Sequence, residues 1–591
     1  MTIKPAHYRH SILPIVLSIA GLILLLTSIK GAVIVDEINY SLSAVSLRSG
    51  SGTAVEGTDR LPPSPELYFF DSEIHRRTTG PTPVRWNTPP LYAPIALLFL
   101  WMGWYGLVLV NILSFLGATA CIFLFVERYT DDRTVPWLAA IFFSLGGFGI
   151  EYAQGVWPHM LAVFLCTSAV FFASDAWRGE VNWKPALAGF LAGMAAGVRE
   201  QNIFFAACLG LTLLLFGRKR IRSTAFYALG IALPILIIML FNRSRFDTSF
   251  PAPKSGGYLH QVESVSRSVL SPLKVFWTKV VDFSTMGRID DPVQAWNYKH
   301  DPDSGAYLVT TAVKKSLLQS SPWISIALLA VIAAWFRRNR FTPHAATTLR
   351  ALSLIIVPII VMIVLAGKDR MDGLAFNQRY FHEVVPLSAI VAALAIQGID
   401  LRIKNFVTGF LVSVVLFLIL CTGGPLFLRH IAILYLPLFL AALAGILWLF
   451  QKRLQKPLLL TVSLGMCIGW ALSVHVGDDL AASRSIRHTN ARKLAVLDSL
   501  IPDHSALFVN WGERDGAGPL QLSKDVLMME FHVDSAATAA PIKDSLFAQG
   551  RKVFVVPGTA PASLMQRLTG TDSLVEIHPA PYVVDEIIRS K

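Results

Sequence analysis

Long apolar runs recur along the 591-residue chain from its N-terminus to about residue 475. A helix needs about 20 apolar residues to cross a bilayer, and runs of roughly that length alternate with short polar segments. The pattern predicts about 13 membrane spans, near residues 11–34, 104–126, 135–150, 157–177, 185–199, 201–217, 224–241, 322–336, 351–366, 384–399, 406–421, 431–450 and 457–475. The first run lacks the small-residue cleavage site of a signal peptide, so we interpret it as a retained span.

Two long segments between spans are too polar to cross a membrane. They are a first outer loop at 36–103 and a second at 242–321. The first contains "NTPPLYAPIALLFLWMGW", whose apolar stretch of about a dozen residues is too short to span. This stretch predicts a helix that lies in the membrane interface.

The pattern changes after the last span, where hydropathy falls. Short β-like runs, "ALFVNW" and "RKVFVVPG", alternate with helical stretches such as "RKLAVLDSL" and "APIKDSLFAQG". Strands that alternate with helices are typical of a small α/β domain. The sequence therefore predicts a membrane domain at 1–475 and an accessory α/β domain, without chemistry of its own, at 476–591.

Basic residues fall in every second loop, as in the cluster between Arg218 and Arg222. Because Lys and Arg are enriched in short cytoplasmic loops, the N-terminus with Lys4 and Arg9 is predicted to be cytoplasmic. An odd number of spans then places the C-terminal domain on the outer, extracytoplasmic side of the membrane. We expect a multi-pass protein of the inner (plasma) membrane.

The composition supports this class. The chain is 53% hydrophobic and 15% charged, with a mean hydropathy of +0.53. Its net charge of +13 is distributed over loops between spans, which indicates membrane topology rather than nucleic-acid binding. All five cysteines lie in apolar runs, and the chain has no paired Cys or His spacing for structural zinc, so neither disulfides nor zinc are expected.

Two adjacent acids, Asp36 and Glu37, follow the first span in "AVIVDEINYSLSAVSL". Acids within or beside membrane segments are energetically costly and are candidates for function. From position alone, a solvated loop acid is an equally good interpretation. If a helix continues through this segment, the two side chains point about 100° apart, so one residue of rotation separates their roles.

Several sequence pieces resemble the GT-C superfamily of membrane glycosyltransferases, especially the bacterial protein mannosyltransferase-like and aminoarabinose transferase-like members. "VDEINYSLSAVSL" resembles the acid and helix of their first outer loop, and "NTPPLYAPIALLF" their Pro-Pro-x-Tyr interfacial helix, which contains Tyr92. "GVREQN" is similar to an Arg-x-x-Asn turn, "FNRSRFDTSF" to the start of the long outer loop, and "NQRYFHEVVPL" to an Arg-Tyr signature. The pieces occur in family order over roughly residues 10–450.

The resemblance implies an enzyme that takes a sugar from a polyprenyl-phosphate carrier. Arg binds phosphate oxygens through a planar fork of donors, so Arg199 and Arg379 are the candidate phosphate ligands, with Tyr380 beside them. Both arginines are predicted at outer span edges, where positive charge is disfavoured. Snorkelling to lipid phosphates is the alternative for the arginines, and interfacial anchoring for Tyr380.

One stretch departs from the family pattern. Many members carry an acid early in the span that here begins near residue 157, whereas "EYAQGVWPHML" has Glu151 before the turn and His159 at the place of that acid. His159 is therefore a candidate for the substrate pocket, although a structural role is the more common one for an interfacial His. Tyr92, from the Pro-Pro-x-Tyr helix, is a second candidate for this pocket. Metal dependence stays open: no metal ligands are assigned, and a divalent ion is an alternative.

The sequence thus predicts an inverting glycosyltransferase that moves one monosaccharide from a polyprenyl-phosphate carrier to a lipid, glycan or protein acceptor on the outer face. The catalytic candidates are Asp36, Glu37 and Glu151, with Asp36 preferred as general base. The alternatives are a polytopic transporter or lipid-carrier flippase, for which the chain lacks an evident internal duplication, and a non-catalytic component of cell-envelope polymer assembly.

The orientation is tested by reporter fusions. Alkaline phosphatase joined after Val476 should be active, because it is exported, and the same reporter in the loop between Arg218 and Arg222 should be silent. A silent reporter after Val476 would contradict both the topology and an outer-face site.

Overall fold

The computed structural model describes residues 12–50, 88–179, 183–246, 287–288, 313–336, 341–366, 379–421, 426–454, 457–510, 513–531, 536–558, 562–570, 572–578 and 583–589. Most of the predicted first outer loop and of the loop at 242–321 lies outside these residues. So does part of the stretch "FNRSRFDTSF".

Within the described residues the chain is mostly helical. The α-helices, in chain order, are α1 (Ile12–Thr27), α2 (Val35–Arg48), α3 (Tyr92–Leu97), α4 (Trp104–Glu127), α5 (Thr134–Ser144), α6 (Gly149–Ala153), α7 (His159–Arg178), α8 (Lys184–Val198), α9 (Asn202–Phe216), α10 (Arg220–Phe246), α11 (Leu317–Ser320), α12 (Ile324–Phe336), α13 (Pro343–Ala366), α14 (Val384–Ala395), α15 (Ile403–Cys421), α16 (Leu426–Leu454), α17 (Pro457–Val474), α18 (Ala481–Leu500), α19 (Arg514–Ala517), α20 (Ala536–Ala548) and α21 (Ala562–Thr569). The 3-10 helices are Leu100–Met102, Arg379–Phe381 and Gly518–Leu522, and a π-helix covers His475–Leu480.

The strands are β1 (Gly287–Arg288), β2 (Val313–Lys314), β3 (Ser505–Asn510), β4 (Val526–Phe531), β5 (Lys552–Val556), β6 (Ser573–His578) and β7 (Val584–Ile588). β1 and β2 form an antiparallel pair, and the other five strands form one sheet in the order β4-β3-β5-β7-β6.

The helical pattern confirms the predicted polytopic membrane class. Among the described residues, seven helices are long and apolar enough to cross a membrane, and six further apolar helices have 10–17 residues. Each predicted span coincides with one of them. Helices suit this environment because they satisfy every internal backbone hydrogen bond without water.

The chain divides into two compact units. The first comprises Met1–Leu26, Asn111–Gln154 and Pro158–Ser483, and it contains the apolar helices. Helices in this unit approach closely at glycines: a Cβ on Gly465 of α17 would lie 2.1 Å from the Phe406 carbonyl oxygen of α15, and one on Gly230 of α10 would lie 1.9 Å from the Ala186 carbonyl of α8. Such small-residue crossings are typical of membrane helices, because lipid supplies no hydrophobic drive and close packing must replace it.

The second unit comprises Thr27–Val110, Gly155–Trp157 and Arg484–Lys591. It therefore joins α2 and α3 of the first outer loop to the C-terminal α/β fold. In the sheet, β3 is parallel to β4 and β5, while β7 is antiparallel to β5 and β6. The strand β3 lies between β4 and β5 and is almost completely buried, as expected of a strand in a sheet covered on both faces. The small α/β fold after the last span is confirmed.

The predicted interfacial segment is a short helix with a 3-10 turn. In α3, Tyr92 and Ala96 face inward, whereas Leu98 and Trp101 beyond it are 70% and 81% exposed. A large apolar and an aromatic side chain on one exposed edge suit the boundary between lipid and water.

The helix crossings generate a prediction about stability. Gly465→Ala should lower the unfolding temperature in detergent, because its Cβ meets backbone that cannot yield; overpacking of this kind typically costs about 1–3 kcal/mol. Gly445→Ala is the matched control, since there the nearest atom is the side-chain tip Leu329 Cδ1 at 2.9 Å. Equal effects of the two substitutions on thermal unfolding would contradict the proposed close crossing.

Candidate functional site

Glu37 lies in the first turn of α2, and its side chain caps the N-terminus of that helix. The N-cap residue Ile34 has extended backbone and no side chain that can accept a hydrogen bond from the first turn. Glu37, three residues further on, reaches back and accepts a hydrogen bond from the Val33 amide at 2.7 Å. This resembles half of a capping box, in which an acid at the third helical position binds an amide before the helix.

The same carboxylate has three more donors. Its Oε1 accepts from the Val156 amide at 2.8 Å and from Arg487 Nη2 at 2.8 Å, and its Oε2 accepts from Arg487 Nη1 at 3.1 Å. The Glu37 side chain is 0% exposed. A carboxylate has about four lone-pair positions, so these contacts occupy them all. This geometry favours a structural role for Glu37 rather than the catalytic role that the sequence left open.

Asp36 differs from its neighbour in accessibility. It is half-buried at the second position of α2, and the helix dipole there favours a negative charge. Of the two acids, Asp36 is therefore the one that water or a substrate hydroxyl can reach. The preference for Asp36 as the base stays a prediction.

Tyr92 packs against the same helix. Its ring makes an edge contact with Tyr40 at 5.1 Å between ring centroids. Burial, and then the nearby Tyr40 and Glu37, raise the pKa of the Tyr92 hydroxyl far above its usual value. Among the described residues the buried Tyr92 hydroxyl has no hydrogen-bond partner. The Tyr92 hydroxyl therefore keeps its proton and can donate a hydrogen bond.

A second set of candidates lies in the helical unit and forms what we call the arginine–histidine cluster: Arg199, Arg379, His159, His382 and Glu383. Arg199 ends α8 in extended conformation, and its carbonyl accepts from the Asn202 amide at 2.9 Å, which confirms the predicted turn. Arg199 Nη1 donates to Glu383 Oε1 at 2.6 Å, and both side chains are buried. Charges buried at this depth are stable only when paired.

The histidines of the cluster lie among aromatic rings. His382 is 1% exposed, and its ring is packed edge-on against Phe148 and Tyr152, at 4.4 and 4.2 Å between ring centroids. The ring of His159 lies parallel to that of His382, 5.9 Å away. The cluster contains two guanidinium groups but only one carboxylate, Glu383, so it carries excess positive charge. An excess of positive charge suits an anionic ligand.

Arg379 and Tyr380 are neighbours in a 3-10 turn before α14. The Arg379 guanidinium lies 5.3 Å from the centroid of the Tyr380 ring, within the range of a cation–π contact. Both side chains are half-buried, in contrast to the closed Arg199–Glu383 pair. We therefore regard Arg379 as the more accessible of the two candidate phosphate ligands.

Glu151, the third carboxylate candidate, is buried in α6. Its Oε1 accepts a hydrogen bond from the Ser483 hydroxyl at 2.9 Å. Among the described residues, no three His, Cys, Asp or Glu side chains come together in an arrangement that could hold a metal ion. No ligand set is therefore assigned to a divalent ion.

The comparisons with known proteins identify the fold. No protein-family profile matches the chain, and no curated protein matches its sequence significantly. Among solved structures, ArnT from Cupriavidus metallidurans bound to undecaprenyl phosphate gives a TM-score of 0.55 at 13% identity over 98% of each chain. The apo form gives 0.50 at 12% identity over 97% of each chain. ArnT is a member of the GT-C superfamily. The chain has a GT-C-like fold.

An archaeal oligosaccharyltransferase from Archaeoglobus fulgidus in its apo form also matches, with a TM-score of 0.47 and 12% identity over 95% of this chain and 72% of that chain. The ArnT match, not this weaker one, confirms the resemblance of the sequence pieces as a GT-C-like fold. The roles of individual residues within this fold stay predictions.

Sequence reasoning missed four buried polar residues, three of which the structure places against the candidates. Arg487 and Glu383 are the buried ion-pair partners of Glu37 and Arg199. His382 lies between the aromatic rings, and Asp479 accepts from Lys315 and from His475 within the helical unit. The signal for His382 and Glu383 was present in "RYFHEVV", where two ionisable residues precede an apolar helix. Arg487 had no local signal, because its partner is 450 residues away.

The burial of His382 predicts a pH dependence of stability. Desolvation, and then the positive charges of Arg199 and His475, hold the pKa of His382 well below its usual 6.5. The unfolded chain then binds a proton below pH 6.5 that the folded chain does not, so the free energy of unfolding falls as the pH drops.

His382→Gln should reduce the slope of unfolding temperature against pH between about 7 and 5, where one such group changes stability by up to about 1.4 kcal/mol per pH unit. The control is His488→Gln, since His488 is exposed on α18. The prediction would be contradicted if both variants kept the wild-type slope.

Proposed function

We propose that the protein is a membrane glycosyltransferase that transfers one sugar from a polyprenyl-phosphate carrier to an acceptor on the outer face of the membrane. The observation that carries this proposal is the GT-C-like fold along nearly the whole chain, with the similar ArnT structure bound to undecaprenyl phosphate. The arginine–histidine cluster supports it from this chain's own residues, because it combines two guanidinium groups with buried histidines. Such a cluster suits a lipid-borne phosphate.

The proposed reaction is a single inverting displacement. Asp36 accepts the proton of an acceptor hydroxyl while the oxygen forms a bond to the anomeric carbon of the sugar. The bond between that carbon and the phosphate oxygen breaks, and the electron pair leaves with the polyprenyl phosphate. General-base assistance of this kind contributes about 10²- to 10⁴-fold in rate.

Negative charge grows on the phosphate as the sugar leaves. Arg379, with Tyr380 beside it, would hold that charge, and Arg199 would add to the positive field while Glu383 keeps it in place. Because the charge of Arg199 is already balanced by Glu383, we assign the larger share of phosphate binding to Arg379. Electrostatic stabilisation of developing charge is commonly the largest single contribution to catalysis.

The first experiment measures carrier binding and sugar transfer by the purified full-length protein. Undecaprenyl phosphate should raise the unfolding temperature, whereas undecaprenol, which lacks the phosphate, should not. Radiolabelled sugar should then move from a synthetic polyprenyl-phosphate donor to an acceptor in membrane extracts. Carrier movement across vesicles without any sugar transfer would instead favour a flippase.

The proposed base is tested with Asp36→Asn, which keeps the size of the side chain but removes the charge. Its transfer rate at saturating donor should fall by on the order of 10² or more, with stabilisation by undecaprenyl phosphate retained. Arg379→Ala is the contrasting variant and should also weaken that stabilisation, because it removes a phosphate contact present before and after the reaction as well as during it. Near-wild-type turnover by folded Asp36→Asn would rule out Asp36 and make Glu151 the next carboxylate to test.

A further inference from the structure

The helix α18, which follows the last predicted span, holds the segment that leads into α2. Arg487 of α18 forms the two-point ion pair with Glu37 and also donates to the Gly31 carbonyl oxygen. Three residues along the same face, Asn490 Nδ2 donates to the Ala32 carbonyl at 2.8 Å. Residues three apart lie on one side of a helix, so this face of α18 binds both the 31–33 segment and the first turn of α2.

Two glycines make this close approach possible. Gly31 has φ +152°, and a Cβ there would lie 2.7 Å from the Arg487 carbonyl oxygen. A Cβ on Gly155 would lie 2.7 Å from Glu37 Oε1, next to the Val156 amide that donates to the same oxygen. Both sites lack room for a side chain, so the backbone is packed directly against the ion pair.

The direction of Asp36 depends on this arrangement. The N-cap residue Ile34 offers no side-chain hydrogen bond, so Glu37 supplies the cap, and Arg487 supplies two of the four donors that hold Glu37. Asp36 immediately precedes Glu37 in the same helical turn. A rotation or fraying of this turn would move the Asp36 carboxylate, whereas the arginine–histidine cluster belongs to other elements.

We infer that Arg487 is a positioning residue for Asp36, through which the region after the membrane spans controls the rate of the transfer step. This inference rests on the proposed function, and it departs from the expectation that residues 476–591 form only an accessory domain. Arg487 touches no reacting atom: it fixes Glu37, and Glu37 fixes the first turn of α2. Misplacement of a catalytic group by about 1 Å can cost on the order of 10²-fold in rate.

A merely structural role for Arg487 makes a different prediction. In that case, activity would follow the amount of folded protein, and any substitution that restored stability would restore transfer. The two roles are separated by removing both charges at once. Removing one partner leaves a buried unpaired charge, whereas replacing both partners by neutral groups is often nearly neutral for stability.

The test uses the full-length protein and compares Arg487→Met, Arg487→Lys and the double variant Glu37→Gln/Arg487→Met. Arg487→Met should lower kcat by on the order of 10²-fold, with little change in the donor KM. Arg487→Lys should keep part of the activity, because an ammonium replaces the charge but not the planar fork of donors. The double variant should regain the unfolding temperature of the wild type but not its kcat.

The control is Arg492→Met, because Arg492 is an exposed arginine on the same helix. It should leave kcat and stability unchanged. Hydrogen exchange gives a readout without activity: the amides of Val33 and Val156, both bonded to Glu37, should exchange faster in Arg487→Met, while amides in β3 keep their protection.

Wild-type kcat in folded Arg487→Met, or recovery of kcat in the double variant, would overturn the inference and leave the proposed function intact. Unchanged exchange at Val33 and Val156 would overturn it as well. Absence of sugar transfer by the wild type would overturn the proposed function itself, and the two failures are thereby distinguishable.

If Arg487→Met does not fold, Asn490→Ala removes only the bond to Ala32 and should still lower kcat several-fold. Unchanged kcat in Asn490→Ala would count against the inference.

Discussion

Buried charge is the constraint on which the polar architecture of this protein depends. In a chain this apolar, an ionised group taken out of water costs several kcal/mol unless an opposite charge and hydrogen bonds compensate for it. The structure meets this requirement with pairs and small clusters that connect distant parts of the sequence. They are Glu37 with Arg487, Arg199 with Glu383, Asp479 with Lys315 and His475, and Asp175 with Arg128 and Lys184. Each of these ion pairs fixes which segments lie in contact, which apolar packing alone would not determine.

The same constraint gives two adjacent acids different tasks. Glu37 is enclosed by four donors and fixes the start of α2, while Asp36 beside it remains half-buried. Successive residues of a helix point about 100° apart, so one can face a packed backbone while the next faces an open side. A fixed neighbour is a physical advantage for a catalytic carboxylate, since a group held in place loses less rate to misorientation.

Hydropathy was sufficient to predict the apolar helices, because a segment that crosses a bilayer must be apolar over about 20 residues and lipid forbids unsatisfied backbone. It was less informative for the C-terminal sheet. "ALFVNW" and "RKVFVVPG" were recognised as the strands β3 and β5, whereas β4, β6 and β7 were not. The edge strand β6 is largely exposed and mixes polar with apolar residues, so its pattern is weak. For the candidate site, the sequence indicated single residues such as Arg199 and Asp36. Their partners could not be inferred, since Glu383 and Arg487 become neighbours only after the chain has folded.

The contrast between 13% identity and 98% coverage with ArnT follows from the same physics. Most positions of a membrane helix need only an apolar side chain of suitable size, and many sequences satisfy that demand without altering the fold. A buried ion pair tolerates substitution far less, because changing one partner leaves the other as a buried, unpaired charge. The residues most informative about this chain's own chemistry are therefore the few polar side chains buried in places where apolar ones would suffice. Glu37 with Arg487, and Arg199 with Glu383, are such residues.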